Sequence, residues 1–258
     1  MEAGLSFGQA DFAHPIFDPI RPWLARLPRT GWPSREALNA LAERAQIKTE
    51  AGKPVRFVAP APLDPYYEVQ VHETGCVATR PENWHDLFNA LAWLAFPRSK
   101  ARINAMHAAQ IPREGGKRGR LRDMLTLFDE GGAIVACADA GLAQLIRGFR
   151  WQELFWQNRG RVLTGLRFIV LGHAVLEKAL APWPGVTCKA ICIAPGGDPD
   201  ARAAQWLAEH AANGTPRDLA PLPVFGYPDW LPENDRAEFY ADERYFRPFR
   251  RDVPAREK

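Results

Sequence analysis

His85, Asp86, Asn89, Lys100, Asn104 and His107 fall within one stretch, NWHDLFNALAWLAFPRSKARINAMH, that is otherwise apolar enough to be buried. Polar groups on buried helices cost free energy unless they are satisfied, so their presence asks for a reason. At about 100° per residue, His85, Asp86 and Asn89 share one arc of a helix, while Trp84, Leu87, Leu91 and Leu94 take a different, apolar side. Lys100, Asn104 and His107 follow at helical spacing and make a second, narrower polar stripe. A histidine titrates near neutrality, so His85 or His107 suits proton transfer or metal ligation, with Asp86 as partner. The plainer alternative is structural. Asp86 caps its helix, His85 bonds a backbone carbonyl, and the second stripe faces water, as Lys and Asn on helices usually do.

Three further groups could carry chemistry. Asp123 and Thr126 share a helical face with Asp129 and Glu130 just beyond, and such carboxylates could join the histidines around a divalent ion. His173 and Glu177 stand four apart on an apolar run, a spacing that can ligate metal but that a hydrogen-bonded pair explains as well. Asp129, His173 and Glu177 are therefore the candidate metal ligands, and a divalent metal the candidate cofactor. The stretch IPREGGKRGRLRD carries Arg113, Lys117, Arg118, Arg120 and Arg122 on a glycine-rich loop that could hold a phosphate or a nucleic-acid backbone. No aromatic residue is interleaved in it, which favours a solvated loop. The sequence contains no Walker loop, GxSxG elbow, HExxH motif or dinucleotide fingerprint.

The 258 residues suffice for one large domain or two small ones, and the near balance of 33 basic and 30 acidic residues demands neither a nucleic-acid nor an anionic-membrane partner. Cys76, Cys137, Cys188 and Cys192 form no CxxC pair and read as structural thiols. No leader-like start and no membrane-length apolar run is visible, so a cytoplasmic location is the expectation.

Helices must position these groups. The pattern predicts a Ser34-capped helix over 35–45 with Leu38, Leu41 and Ala45 inside, and strands over 55–59, 67–71 and 76–79. Asn83 caps a helix over 84–96, with Asp86 in capping-box position, and Pro97 ends it. Ser99 caps a second helix to about 109. Further helices are expected over 121–128, 140–146, 151–156, 168–180 and 199–213, and strands over 133–138 and 186–193. Residues 161–166 fit strand or helix. Pro- and aromatic-rich arms, 1–33 and 215–258, should wrap this body. The expected fold is a single mixed α+β domain, helix-rich, with a small sheet.

The blocks NWHDLFNALAWLAFPRSKARINAMH, RDMLTLFDEGG, GHAVLEK, FGYPDW and FYADERYFRPFR together resemble the bacterial domain-of-unknown-function 3025 family, from about Pro15 to Arg250. The resemblance implies one cytoplasmic-type bacterial domain and carries no activity or catalytic residue with it. The residues themselves lead to an expected enzyme whose cleft is built from His85, Asp86, Asn89, His107 and Asp123 and performs metal-assisted or acid/base hydrolysis. The competing expectation is a non-catalytic protein that holds an anion or nucleic acid on loop 113–122.

Overall fold

The computed structural model describes residues 5–61, 66–115 and 117–249. Gly116 of the basic loop and the outermost parts of both arms, 1–4 and 250–258, lie outside the described residues. Two 3-10 turns and the short helix α1 (Arg21–Leu24) lead into α2 (Arg35–Arg44). The Ser34 hydroxyl caps α2 by accepting from the Ala37 N–H at 3.2 Å. Leu38, Leu41 and Ala42 are its buried residues, whereas Ala45, expected inside, is the exposed C-cap.

Strand β1 (Arg56–Val58), helix α3 (Tyr67–Thr74) and strand β2 (Cys76–Ala78) follow. The strands pair in parallel, Phe57 opposite Val77. A parallel pair needs a crossover, and α3 supplies it. Residues 67–71, expected as strand, are therefore helix. Their alternation in YEVQV has the period of a strand, but the topology overrides it, and Gly75 at φ 76° closes the helix as its left-handed C-cap.

Helix α4 (Trp84–Ala95) buries Leu87, Phe88, Leu91, Trp93 and Leu94. Asn83 caps it by accepting from the Asp86 N–H at 3.0 Å. The Asp86 carboxylate does not complete a capping box; it turns outward to Arg80. Phe7, Phe12 and Phe17 of the N-terminal arm pack on Trp84 and Phe88, which covers that side of α4 with aromatic rings. Phe96 links α4 directly to α5 (Pro97–Gln110), with Pro97 as its first residue rather than Ser99 as its cap. The N–H groups of Arg98 and Ser99 instead donate to the carboxylate of Asp200, each at 2.8 Å.

Helix α6 (Arg120–Gly131) runs straight into β3 (Gly132–Cys137), and α7 (Ala140–Arg147) starts under an Asp139 cap. A π-helical turn (Glu153–Gln157) precedes α8 (Arg159–Gly165), so the ambiguous 161–166 segment is mostly helix. Residues 168–180, expected as one helix, split into β4 (Leu166–Val170) and α9 (His173–Lys178). The split occurs because β4 pairs antiparallel with β3, Val170 opposite Ala133, and Gly172 breaks the chain between the two elements. Strand β5 (Thr187–Ile193), helix α10 (Pro199–Glu209) and strand β6 (Ala220–Pro223) complete the regular structure. Helix α10 stops at Glu209, short of the expected 213.

The main sheet has the order β4-β3-β5-β6, with β3 and β5 parallel and both edges antiparallel. Pro221 and Pro223 lie on β6, where an edge strand tolerates the missing N–H groups. Together with the β1–β2 pair and the surrounding helices this is an α+β fold. The C-terminal arm is tied down by buried polar side chains. The Tyr245 hydroxyl donates to Val186 O at 2.8 Å and accepts from Phe225 N at 3.0 Å, and the Asn234 amide donates to the carbonyls of Phe225 and Tyr227.

Candidate active site

Helices α3, α4, α5 and α6 and the start of α9 enclose a cleft of about 550 Å³. His85 projects into it from α4 and His173 from the first position of α9. Gly172, just before His173, lies so close to the backbone of Glu130 to Gly132 that a Cβ would meet Glu130 O at 2.7 Å and Gly132 N at 2.5 Å. That approach presses His173 against the end of α6.

The two imidazoles meet edge to face, Nε2 to Nε2, at 3.1 Å. One ring must donate and the other accept in this contact. The outer nitrogens both face carboxylates: His85 Nδ1 lies 3.3 Å from Glu177 Oε2, and His173 Nδ1 lies 3.8 Å from Asp129 Oδ2. Burial, at 4% exposure, lowers the pKa of His173 to about 4, against the pull of Asp129, so this ring is neutral at neutral pH. His85 is the solvent-facing member, with its side chain 38% exposed. The hydrogen-bonded chain therefore runs from Glu177 through His85 to His173, and Asp129 faces the buried His173 Nδ1 without a hydrogen bond to it.

Lys100, Asn104 and His107 do not face water. They are 4%, 2% and 4% exposed. Helix α5 is packed against α3, α6 and α10, so the stripe points into the cleft and the solvated alternative does not hold. Lys100 Nζ is held by Asp129 Oδ1 at 2.5 Å and Asn89 Oδ1 at 2.8 Å, and lies over the Trp93 ring. For Asp129, burial opposes ionisation, but Lys100 and His173 outweigh it and hold the carboxyl below its ordinary range. His107 accepts at Nδ1 from Arg122 Nε, with 3.4 Å between them, which leaves Nε2 to carry its hydrogen. Burial lowers its pKa to about 4 as well, with Arg122, Arg118 and Lys100 acting in the same direction against Asp129.

Of the expected residues, His85, Asp86, Asn89 and His107 thus share one cleft, and Asp129 and His173 join them. Asp86 is not the partner of His85. It accepts from Arg80 N, Nε and Nη2 at 2.7–2.9 Å, and these bonds, working against burial, lower its pKa. Asp123 does not reach the cleft; it pairs with Arg118 at 2.9 Å on the outer side of α6. Within the basic loop, Arg118 also contacts Thr126, and Arg122 pairs with Glu114 at 3.0 Å. Two of its five cations are thereby neutralised locally, and Arg113, Lys117 and Arg120 remain exposed.

Glu68 is a cleft carboxylate that the sequence reading missed, as it missed Arg80 and Trp93. It sits on α3, where a strand was expected, and its Oε2 accepts from Asn104 Nδ2 at 2.7 Å. Burial of the carboxyl pushes its pKa up, with Asp129 adding to the effect and Asn104 opposing it. The signal was present in YYEVQVHETG, where Gly75 stands as a helix C-cap.

Among the described residues, no group of three or more His, Cys, Asp or Glu side chains is placed to hold a metal ion. Glu177 contacts His85, and Asp129 flanks His173, but the expected trio of Asp129, His173 and Glu177 does not converge on one point. No curated protein and no solved structure matches the chain. A family model does match residues 55–250, so the chain belongs to the family of proteins of unknown function DUF3025.

Proposed function

We propose that this protein is an enzyme, and that its cleft performs acid/base chemistry of the hydrolytic kind. The observation that carries this reading is the contact between His85 and His173, 3.1 Å between Nε2 atoms, with a carboxylate facing each outer nitrogen. A packed core has little reason to bring two imidazoles together, because the contact works only when their tautomers are complementary. A general base must instead be neutral, oriented and within reach of solvent.

In this reading His85 is the general base. Its Nδ1 takes the proton of a cleft water lying between the ring and Glu177, whose carboxylate receives the positive charge that develops, while Nε2–H donates to His173 Nε2 and fixes the ring. Asp129 faces the His173 ring and is itself fixed by Lys100. Asn89 and Lys100 then offer polar contacts beside the site of water attack. His107, neutral with hydrogen on Nε2, supplies a donor on the opposite wall.

The test is an activity screen of the purified protein against ester, amide and phosphoester chromogenic substrates, in parallel with His85→Ala and His173→Ala. Loss of a general base is expected to reduce kcat by about 10²–10⁴-fold in either variant, with circular dichroism unchanged. A hydrolytic activity that both variants retain in full would overturn the assignment.

A further inference from the structure

The protein carries a small positive net charge, +3, but its cleft is acidic. Glu68, Asp86, Asp129 and Glu130 line it, against Arg80 and Lys100. Asp86 is neutralised by Arg80 and Asp129 by Lys100. Glu68 has no cation within ion-pair distance among the described residues. Among those residues its side chain hydrogen-bonds to a neutral amide, that of Asn104.

The Asn104 amide is also half satisfied. Its nitrogen donates to both Glu68 O and Glu68 Oε2, whereas its oxygen, Oδ1, has no hydrogen-bond partner although the residue is 2% exposed. A buried carbonyl acceptor without a donor is unfavourable, and this one belongs to a residue that lines the cleft. The same cleft shows what such a pair is suited to hold. Lys100 Nζ, a primary ammonium, sits between the Asp129 carboxylate and the Asn89 amide oxygen. Glu68 and Asn104 offer the same two group types, a carboxylate and an amide oxygen, and among the described residues no cation lies within ion-pair distance of Glu68, Lys100 and Arg122 acting on it only from farther away.

We infer that Glu68 and Asn104 Oδ1 form the recognition subsite of the cleft for a substrate carrying an organic cation, a primary ammonium or a guanidinium group. This rests on the reading of the cleft as an active site and names the class of molecule it takes. The ligand brings several N–H donors and one positive charge, which satisfy the orphaned amide oxygen and neutralise the desolvated carboxyl in one step. An anionic ligand fits poorly, because it would meet Glu68, Asp129 and an acceptor with no hydrogen to offer. Trp93, already under the ammonium of Lys100, adds an apolar wall beside the subsite.

The test is calorimetric titration of the intact protein with agmatine and with putrescine, using butyrate and 1-butanol as anionic and neutral counterparts, and magnesium and zinc chloride as inorganic cations. Agmatine or putrescine is expected to bind and the two counterparts are not. Glu68→Gln, which keeps the shape and removes the charge, is expected to weaken binding by at least about tenfold, as the loss of a charge-assisted bond implies. Asn104→Thr serves as a second variant and is expected to weaken binding too, with folding checked by circular dichroism. Absence of amine binding, equal binding in Glu68→Gln, equal binding of butyrate, or binding of the metal ions in place of the amines would each overturn the proposal. His85→Ala is expected to retain amine binding. Amine binding without hydrolytic activity would thus count against the proposed chemistry alone, and hydrolysis of uncharged substrates without amine binding against the subsite alone.

Discussion

Lys100 is the residue on which the most cleft geometry depends, because its ammonium touches Asp129, Asn89 and the face of Trp93 while only 4% exposed. An ammonium in that position has lost its water and is compensated by one carboxylate and one amide oxygen. Removing it leaves Asp129 desolvated beside a neutral histidine, and breaking a buried pair from one side costs about 3–5 kcal/mol. Lys100→Met is therefore expected to lower unfolding stability by about that amount in urea titration. The double variant Lys100→Met with Asp129→Asn is expected to recover part of the loss, because no uncompensated charge remains. If the double variant loses the sum of the two single losses, the pair is not coupled and the electrostatic account of Asp129 fails.

Helix α5 carries three cleft side chains, Lys100, Asn104 and His107, and its position is set by a residue far away in sequence. Asp200, in the first turn of α10, accepts from the N–H groups of Arg98 and Ser99, which are donors that the start of α5 would otherwise leave unpaired. Asp200→Ala is expected to cost about 1–3 kcal/mol in chemical denaturation. It should also reduce activity or amine binding, since α5 loses its anchor while every cleft side chain is intact. A stability loss with fully preserved binding would show that packing on α3 and α6 holds α5 by itself. The elements are also where sequence and structure part company. Helices α2, α4, α6 and α7 and strands β3 and β5 were legible because each has a cap or an apolar period of its own. The strand–helix exchanges at residues 67–71 and at β4 were not, because in both places long-range pairing decided: β1 with β2 across α3, and β3 with β4. Strand β6 was hidden by its two prolines. The candidate site was legible in part for the same reason. His85, Asn89 and His107 stand out on patterned helices, whereas Glu68 sat in a segment of the wrong assigned period, and the burial of Lys100 and Asn104 depends on neighbours that no local pattern reveals.

Over the whole molecule, the interior holds titratable rings that are neutral in the folded state and protonated in the unfolded chain. His107 and His173 both have folded pKa values lowered to about 4 from 6.5. Below about pH 6.5 the unfolded chain binds protons that the folded protein refuses, so stability is full above that pH and falls as pH drops toward about 4. Each ring contributes roughly 3 kcal/mol to the loss. Asp129, with its folded pKa lowered, is lost in the same direction at still lower pH. Urea midpoints measured from pH 8 to pH 4 are expected to show this decline, and His107→Gln is expected to make it shallower. A flat profile in the wild type would mean that both rings titrate normally. Among the described residues no helix is long and apolar enough to cross a membrane.

The contact between His85 and His173 joins positions 88 apart in the chain, and the carboxylates facing their outer nitrogens come from α6 and α9. Closing a loop of that length is slow and entropically unfavourable until native packing rewards it. A chain leaving the ribosome exposes His85 well before His173 exists, and α4 has to wait for α9 while its polar arc stays wet. The cleft therefore closes only once the long-range docking is complete, and a nascent or partly refolded chain holds no partial version of the His85–His173 contact.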